Sequence, residues 1–376
     1  MSNLIVEVCV VEETAKIENA DRIERVRVKN WWCIAGKGQY KVGDKVVYVP
    51  PDSVISADLA NRWGIAKYCA QLPKEPNGDR PSSLRVRASK FLGVSSFGTI
   101  QNLDNPDWPV GTDVLEYYGI TKFEPPVKMT DGDTERDHPS FHRYTEIKRF
   151  GDYPEVFVDE EEVVVTEKLH GTNCRVGYLL AQTNQETEGE CWEFMAGSHT
   201  NRRKEYNDKG VRSMYWIPFE KDADKADHLK NMIISIMIKE NAKSSVIVFG
   251  EIFGCGVQDM QYGQNGKSFR IFDISVDGQY IDSDKLINYT SLNPEVKMVP
   301  ILYKGPFSLA KMDELVDGPT TVCKIEEIKE PFKGREGIVI KPIKERFDSK
   351  LNGRAVLKYI SASYHGRKNK NQTEYH

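Results

Sequence analysis

The chain has 376 residues, of which 39% are hydrophobic and 29% charged, and its formal net charge is −4. This length and composition are typical of a globular protein and predict two domains. The net charge does not indicate a nucleic-acid-binding protein, but it does not exclude one, because a protein with a negative net charge can still have a locally basic surface.

Cysteine usage and hydropathy limit the cellular location. The seven cysteines are scattered, odd in number and never in a C-x-x-C arrangement. They indicate reduced thiols and argue against a disulfide framework or a zinc site. The first ten residues contain Glu7 and lack the features of a signal peptide, and no apolar run reaches membrane-spanning length. We therefore expect a cytoplasmic or nuclear protein that is neither secreted nor bound to a membrane.

Short β segments separated by turn signals fill the first third of the chain. They cover residues 5–10, 23–28, 33–35, 45–49, 84–87 and 97–100. Several short strands at nearly regular spacing are typical of a small barrel or sandwich. The length fits a five-stranded OB barrel, which we place at residues 1–126.

A polar segment at residues 127–140, which follows Pro125-Pro126, reads as a linker. The second domain is predicted at 141–364, and a basic polar tail follows at 365–376. In this domain a helical pattern spans residues 223–241, and buried strands are expected at 246–249, 269–272, 337–340 and 355–358. The predicted fold class is α+β.

The strongest chemical candidate is Lys168. It follows the apolar, β-branched run at 163–165, and Gly171 comes three residues later. A rigid strand can aim an amine at a phosphate, and a glycine lets phosphate and backbone approach closely. Because K-x-x-G alone is a weak pattern, its value depends on partner segments further along.

Such partners occur where charged residues interrupt apolar strands. Glu251 follows a strand, Glu336 precedes one that Lys341 closes, and Lys358 lies inside another. Phe272-Asp273 ends a further strand, and residues 196–204 form a polar, basic loop.

In this order the segments resemble motifs I, Ia, III, IIIa, IV and V of the covalent nucleotidyltransferases, which include ATP-dependent DNA and RNA ligases and GTP-dependent mRNA capping enzymes. The matching segments are 168–171, 198–203, 249–251, 272–273, 336–341 and 357–358. Residues 167–173 are similar to the RNA ligase version of motif I, with His170 where DNA ligases usually have Asp. Residues 256–263 resemble a loop of nick-sealing RNA ligases.

The N-terminal half resembles the OB domain that precedes the catalytic domain in Deinococcus-type RNA ligases, also called RNA ligase family 5. The similar segments are 19–23, 36–38, 42–50, 51–54 and, at the domain junction, 119–126. The resemblance implies a second domain with ligase-type antiparallel sheets and helices, and it implies a monomer.

The resemblance also implies a reaction in three steps. Lys168, with a pKa lowered by burial and nearby cations, attacks the α-phosphate of ATP and forms lysyl-AMP. AMP then passes to the 5′-phosphate of a nick, and a 3′-OH displaces it. The implied partner is a nicked duplex with RNA at the 3′-OH end.

Residue roles follow from the same resemblance. Lys341, Lys358 and Arg202 are expected to stabilise the negative charge of the phosphates. Glu336, Glu251 and His170 are expected to bind Mg²⁺ or Mn²⁺, mainly through water. Glu251 is expected at the ribose hydroxyls, Phe272 on adenine and Asn173 at the α-phosphate. The full predicted ATP-binding set is Glu167, Leu169, Gly171, Asn173, Arg202, Glu251, Phe272, Glu336, Lys341 and Lys358.

Two positions leave alternatives open. Many relatives carry a second motif V lysine where this chain has Val356 or Ile360, so Arg354 replaces it or the charge is absent. The motif Ia arginine is Arg202, Arg203 or is replaced by His199. The alternative functions are a DNA ligase or GTP-dependent capping enzyme, or an inactive OB-containing nucleic-acid-binding protein.

Overall fold

A computed structural model of the chain describes residues 4–73, 80–123, 132–181, 191–220 and 227–367. The chain forms two compact units that are not contiguous in sequence. The first comprises residues up to 127 together with 149–154 and those from 362 onward, and the second comprises 128–148 and 155–361. Of the predicted linker and tail, residues 127–131 and 368–376 lie outside the described residues.

The first unit is built mainly from short strands. The strands are β1 (Glu7–Lys16), β2 (Ile23–Val28), β3 (Trp31–Gly36), β4 (Lys45–Val49), β5 (Ser53–Ile55), β6 (Ala70–Gln71), β7 (Leu84–Arg85), β8 (Ser89–Phe91), β9 (Val94–Ser96), β10 (Thr99–Gln101) and β11 (Thr121–Lys122). A short helix, α1 (Ala57–Arg62), follows β5. A five-stranded antiparallel sheet, in the order β10-β4-β1-β2-β3, forms an OB-like near-barrel. A four-stranded sheet follows the order β11-β5-β7-β6.

The interior strand β4 is buried on both faces. Side chains alternate along a strand, so Val46 and Tyr48 face one cluster of apolar residues while Val47 and Val49 face another. The first cluster lies within the near-barrel, and the second includes residues of α1 and the segment that follows it. An uninterrupted apolar strand is the sequence consequence of two buried faces.

The second unit contains longer strands and three helices of eight or more residues among its described residues. They are β12 (Thr134–Glu135), β13 (Lys148–Arg149, at the boundary of the units), β14 (Glu162–Lys168), β15 (Thr172–Leu180), β16 (Trp192–Ser198), β17 (Arg202–Arg203), α2 (His228–Lys239), β18 (Ser245–Gly254), β19 (Lys267–Val276), β20 (Gln279–Tyr280), α3 (Ser283–Ser291), β21 (Ile301–Pro306), α4 (Leu309–Val316), β22 (Gly337–Pro342), β23 (Phe347–Asp348), β24 (Gly353–Arg354) and β25 (Leu357–Ile360). The last helix, α5 (Ala362–His365), belongs to the first unit.

Two antiparallel sheets organise the second unit. One has seven strands in the order β12-β17-β16-β15-β18-β19-β20, and the other contains β25-β22-β14-β21. Helix α2 packs on one face of the seven-stranded sheet through Leu229, Met232, Ile233 and Ile236, a helical spacing. Asp227 caps this helix by accepting a hydrogen bond from the Lys230 N–H at 3.2 Å.

The opposite face of the seven-stranded sheet carries an aromatic cluster that includes Phe141, Tyr144 and Phe249, with Phe272 packed against it. The alternation of side chains along β15 explains this division, because Cys174 and Val176 face α2 whereas Leu179 faces the aromatic cluster. Within the described residues, no helix is long and apolar enough to cross a membrane.

Candidate active site

Strand β14 places Lys168 at its C-terminal end. Residues 163–165 are buried, and β14 pairs with β21 on one side and β22 on the other, an environment that favours β-branched residues. The register pairs Lys168 with Gly337, so that the preceding residue, Glu336, reaches the lysine. The Lys168 Nζ donates a hydrogen bond to Glu336 Oε1 at 2.7 Å.

Glu336 is buried beside this amine. Burial alone would raise the pKa of its carboxyl, but the Lys168 ammonium and His170 outweigh that effect and lower the pKa to about 2. Its second oxygen, Oε2, lies 3.7 Å from His170 Nδ1 and has no hydrogen-bond partner among the described residues. Glu336 is therefore an anion with one oxygen committed to Lys168.

His170 is held by the segment after β18. Its Nε2 lies 2.7 Å from Asp259 Oδ1, and its main-chain N–H donates to the Tyr262 hydroxyl at 2.8 Å. The Gln258 amide donates to the Gly171 carbonyl at 3.2 Å. This segment belongs to the 256–263 loop, so the loop supports the residues that follow Lys168.

Glu251 and Asn173 form a cross-strand pair at the same end of the seven-stranded sheet. Burial raises the pKa of Glu251 to about 8, and the negative charge of Glu336 adds to the rise although Lys168 and His170 oppose it. The Asn173 Oδ1 is buried without a hydrogen-bond partner in the described part of the chain. A neutral carboxyl and an amide are thus available beside Lys168.

Gly171 is required by close packing. A Cβ at this position would lie 2.2 Å from the Ile252 carbonyl oxygen and 2.9 Å from the Glu251 Cγ. The glycine thus lets β15 begin against β18, a reason distinct from the phosphate approach that the sequence pattern suggested.

Three lysines share one face of the second sheet. Residues that pair across neighbouring strands point to the same side of a sheet. Between β14 and β22 the register pairs Val164 with Lys341 and Thr166 with Val339. Between β22 and β25 it pairs Val339 with Lys358. Since Val164 and Thr166 alternate in phase with Lys168, the side chains of Lys168, Lys341 and Lys358 lie on a common face. Lys341 and Lys358 are buried, which an apolar core would not favour.

Lys341 is tied to the seven-stranded sheet. Its Nζ donates to the Phe272 carbonyl at 2.8 Å and lies 3.3 Å from Asp273 Oδ2. Burial lowers the pKa of Lys341, and Asp273 opposes that shift. Phe272 is the extra residue of a bulge, since Phe249 pairs with Asp273 and the next residue of β18 pairs with Ile271.

Arg354 does not present an uncommitted charge. Its guanidinium donates to Asp273 Oδ2 at 2.9 Å and to both oxygens of Glu345 at 2.6 and 2.7 Å. It also lies 3.5 Å from the centroid of the Tyr280 ring. The two positions considered for a second motif V lysine, Val356 and Ile360, are both buried, and Ile360 pairs with Gly337.

The motif Ia candidates lie towards the far side of the seven-stranded sheet. Arg202 is on β17, two strands from the β15 strand that carries Asn173, and its guanidinium pairs with Glu135 at 3.0 Å and Glu193 at 3.2 Å. Arg203 pairs with Asp133. The structure therefore places both arginines in ion pairs with acidic side chains.

His199 and Arg175 complete this region. Burial, together with the nearby Arg175, lowers the pKa of His199 and favours its neutral form. Arg175 is fully buried, and its Nε donates to the Ser198 carbonyl at 3.0 Å. Sequence reasoning missed Arg175, although a charged residue within the β15 pattern was an available signal.

Two predicted ATP-binding residues have side chains that are buried within the protein. Glu167 lies on the opposite face of β14 from Lys168, and its carboxylate accepts hydrogen bonds from the Thr321 N–H at 2.8 Å and the Thr321 hydroxyl at 2.7 Å. The Thr320 hydroxyl also donates to Glu167. Leu169 is buried. The side chains of Glu167 and Leu169 are therefore engaged within the protein.

The chemistry of the site fits a weakly coordinated divalent metal. Among the described residues, no group of three or more His, Cys, Asp or Glu side chains is arranged to hold a metal ion. Mg²⁺ usually keeps several waters and needs only one or two carboxylates. The unpartnered Oε2 of Glu336, with His170 nearby, fits that requirement.

Comparison with known proteins identifies related folds. Three structures of Naegleria gruberi RNA ligase are each 24% identical to this chain: a mutant with AMP and Mn, a mutant without ligand, and a mutant with ATP and Mn. Their TM-scores are 0.69, 0.68 and 0.66, and the alignments cover 96% of this chain and 98%, 97% and 98% of theirs. At this identity the likeness establishes the fold.

Family models match both parts of the chain. A model of an OB-fold domain matches residues 5–103, and the RNA ligase model matches residues 161–360, more than half of the chain. No protein with a curated description matches significantly. The predicted fold class, an OB-like N-terminal part followed by a ligase-type part, is thereby confirmed. The chain belongs to the RNA ligase family.

Proposed function

We propose that this chain is an ATP-dependent RNA ligase that seals 3′-OH/5′-phosphate nicks in duplexes through a lysyl-AMP intermediate on Lys168. One observation carries the proposal: the Lys168 amine is held 2.7 Å from Glu336, on a sheet face shared with Lys341 and Lys358. Membership of the RNA ligase family supports it. Structures of Naegleria gruberi RNA ligase with ATP, AMP, Mn and PPi are consistent with it.

In the first step, the Lys168 ammonium loses a proton to solvent, and the freed lone pair of Nζ forms a P–N bond with the α-phosphorus of ATP while the bond to pyrophosphate breaks. Glu336 orients the amine through its hydrogen bond, because a carboxylate with so low a pKa is a poor base. Lys341 and Lys358 stabilise the charge that develops on the phosphate oxygens.

The remaining roles are those that the resemblance implies. Glu336, with Glu251 and His170, would hold Mg²⁺ or Mn²⁺ mainly through water, and the bound ion would neutralise phosphate charge. Glu251 binds the ribose hydroxyls and Asn173 the α-phosphate. Phe272 stacks on adenine.

In the later steps, the AMP group moves from Lys168 to the 5′-phosphate of the nick. The 3′-OH then attacks that phosphate and AMP leaves. We assign RNA to the 3′-OH strand, since A-form geometry and the 2′-OH distinguish it from DNA. The substrate is a nicked duplex, and the enzyme acts as a monomer.

The decisive experiment incubates the protein with α-labelled ATP or GTP and Mg²⁺ or Mn²⁺, followed by a denaturing gel. We expect acid-labile label from ATP, its loss in Lys168→Ala and its retention in Lys344→Ala, a lysine that is 74% exposed. Label from GTP alone indicates a capping-type enzyme. Absence of label, with a measured mass that excludes a pre-formed AMP adduct, indicates an inactive binding protein.

A second experiment tests the substrate. Nicked duplexes of one sequence are compared with RNA or DNA in the 3′-OH strand. We expect sealing that depends on RNA at the 3′-OH end. Equal sealing of both duplexes would contradict the RNA assignment and favour a DNA ligase.

A further inference from the structure

The first unit contains a cavity of about 220 Å³ where its five-stranded sheet remains open. Strands β3 and β10 are the two edges of that sheet, and both line the cavity. Among the described residues, no strand ladder joins them. The Ile34 N–H donates to Ser96 Oγ at 2.9 Å, and the Phe97 N–H donates to the Trp32 carbonyl at 2.9 Å. The end of β9 and the residue that follows it therefore fill part of the opening between β3 and β10.

Aromatic side chains form the outer wall of this cavity. Trp63, Tyr68 and Phe91 all line it, and the Tyr68 and Phe91 rings meet edge to face at 5.3 Å. Tyr68 is 43% exposed, so its ring is accessible from solvent. Exposed aromatic rings beside an open cavity are the means by which proteins stack unpaired bases.

Polar groups also line this cavity. They include the side chains of Gln39, Ser89 and Gln101 and the main chain of the β10 edge. An edge strand presents unpaired N–H and C=O groups on its free side. A cavity lined by both apolar and polar groups can bind a small planar ligand and fix its orientation.

One positively charged side chain contributes to the lining of the cavity. Arg87 lines it, is partly buried, and forms no ion pair or hydrogen bond within the described part of the chain. Lys67 and Lys90 are exposed and adjoin lining residues, and the Lys67 Nζ lies 4.9 Å from the centroid of the Tyr68 ring. A partly desolvated arginine that forms no ion pair with a described carboxylate suits a phosphate anion.

We infer that this cavity binds an unstacked nucleobase of the RNA substrate, with Arg87 on an adjacent phosphate. The base stacks on Tyr68 or Phe91, and its hydrogen-bonding edge meets the glutamine side chains and the β10 edge. The inference rests on the proposed function, since it takes RNA as the substrate.

The test measures binding of the full-length protein, without ATP, to fluorescent oligoadenylate and to an abasic oligomer of equal length and charge. We expect the wild type to bind oligoadenylate more tightly than the abasic oligomer. Tyr68→Ala should raise the Kd for oligoadenylate about tenfold and leave the abasic Kd unchanged, because one stacked base is lost. Arg87→Gln should weaken binding of both oligomers and reduce the salt slope by about one.

Matched controls are Tyr117→Ala and Lys45→Gln, which alter exposed residues outside the cavity. Both should bind as the wild type does. Equal binding of the two oligomers by the wild type, or a Tyr68→Ala protein that still distinguishes them, would overturn the inference. Binding of an extended peptide in place of RNA would overturn it as well, by assigning the open strand edges to a protein partner.

Failure of this inference is distinguishable from failure of the proposed function. The binding assay contains no ATP, so its result does not depend on adenylylation of Lys168. The labelling assay contains no RNA, so it does not depend on the cavity.

Discussion

Two carboxyl groups near Lys168 have opposite pKa shifts. Burial acts on both Glu336 and Glu251, but only Glu336 has a hydrogen bond from the Lys168 amine. Its pKa falls to about 2, while burial and repulsion from Glu336 raise that of Glu251 to about 8. Its raised pKa favours the protonated carboxyl, which can both donate and accept a hydrogen bond and so suits a ribose diol, whereas a metal ion bound nearby would favour the ionised form.

Substitution of Glu251 should change how stability depends on pH. Its folded-state pKa of about 8 lies above the ordinary value of 4.5, so its contribution to stability is full below pH 4.5 and is lost as pH rises through 8. Glutamine does not titrate. We expect Glu251→Gln to lose less stability than the wild type between about pH 5 and about pH 8.

The measurement is the urea midpoint at both pH values, with Glu295→Gln, an exposed position, as the control. An equal decline in the wild type and in Glu251→Gln would contradict the assignment of a neutral carboxyl.

At individual positions, motif order identified Lys168 and Glu336, which the fold brings together. It did not identify Asp259, because its contact with His170 joins positions 89 apart in sequence. A contact between distant segments, which no local pattern encodes, accounts for that failure.

At the scale of elements, one buried acid links the two sheets of the second unit. Asp273 on β19 contacts Arg354, Lys341 on β22 and the Tyr144 hydroxyl, which donates to it at 2.9 Å. Removing Asp273 deprives the buried Lys341 of its carboxylate partner, whereas Arg354 keeps its ion pair with Glu345.

We therefore expect Asp273→Ala to lower the free energy of unfolding by about 3–5 kcal/mol. Asp284→Ala removes an exposed ion pair with Lys304 and should change it by at most about 1 kcal/mol. Chemical denaturation of both variants measures the difference. Similar stability of the two proteins would show that Asp273 is not needed to hold the sheets together.

Element prediction succeeded where periodicity was strong. Strands β2 and β4 have the predicted bounds, and α2 begins within the predicted helical segment. Helices α3 and α4 were missed because they are short. For α4 a signal was present, since the Ser308 hydroxyl caps the helix by accepting a hydrogen bond from the Lys311 N–H at 3.3 Å.

For the whole molecule, the division into units was beyond sequence reasoning. Residues 149–154 join the first unit because Gly151 packs on the Trp31 ring, where a Cβ would lie 2.3 Å from a ring carbon. Asp152 also accepts a hydrogen bond from the Trp31 indole at 3.2 Å. A linear pattern of turns and strands does not report that a later segment returns to an earlier domain.

The net charge of −4 gives a prediction for the intact protein. An acidic average offers no general attraction to nucleic acid, so binding of a nicked duplex must depend on local cations that contact phosphates. We expect the association constant of Lys168→Ala for a nicked duplex to fall at least about tenfold between about 50 and about 200 mM salt. Fluorescence anisotropy measures the slope, with an uncharged dye-labelled oligomer as the control. A slope near zero would contradict phosphate recognition.

The pairing of Lys168 with Gly337 also bears on how relatives are recognised. Lys168 and Glu336 are 168 positions apart, yet the ladder between β14 and β22 alone determines that they meet. Insertions or deletions in the intervening chain leave that meeting intact, whereas a one-residue slip of the ladder abolishes it. The number of residues between the two motifs is therefore a poor search criterion, and the place of each charged residue relative to its own strand end is a good one.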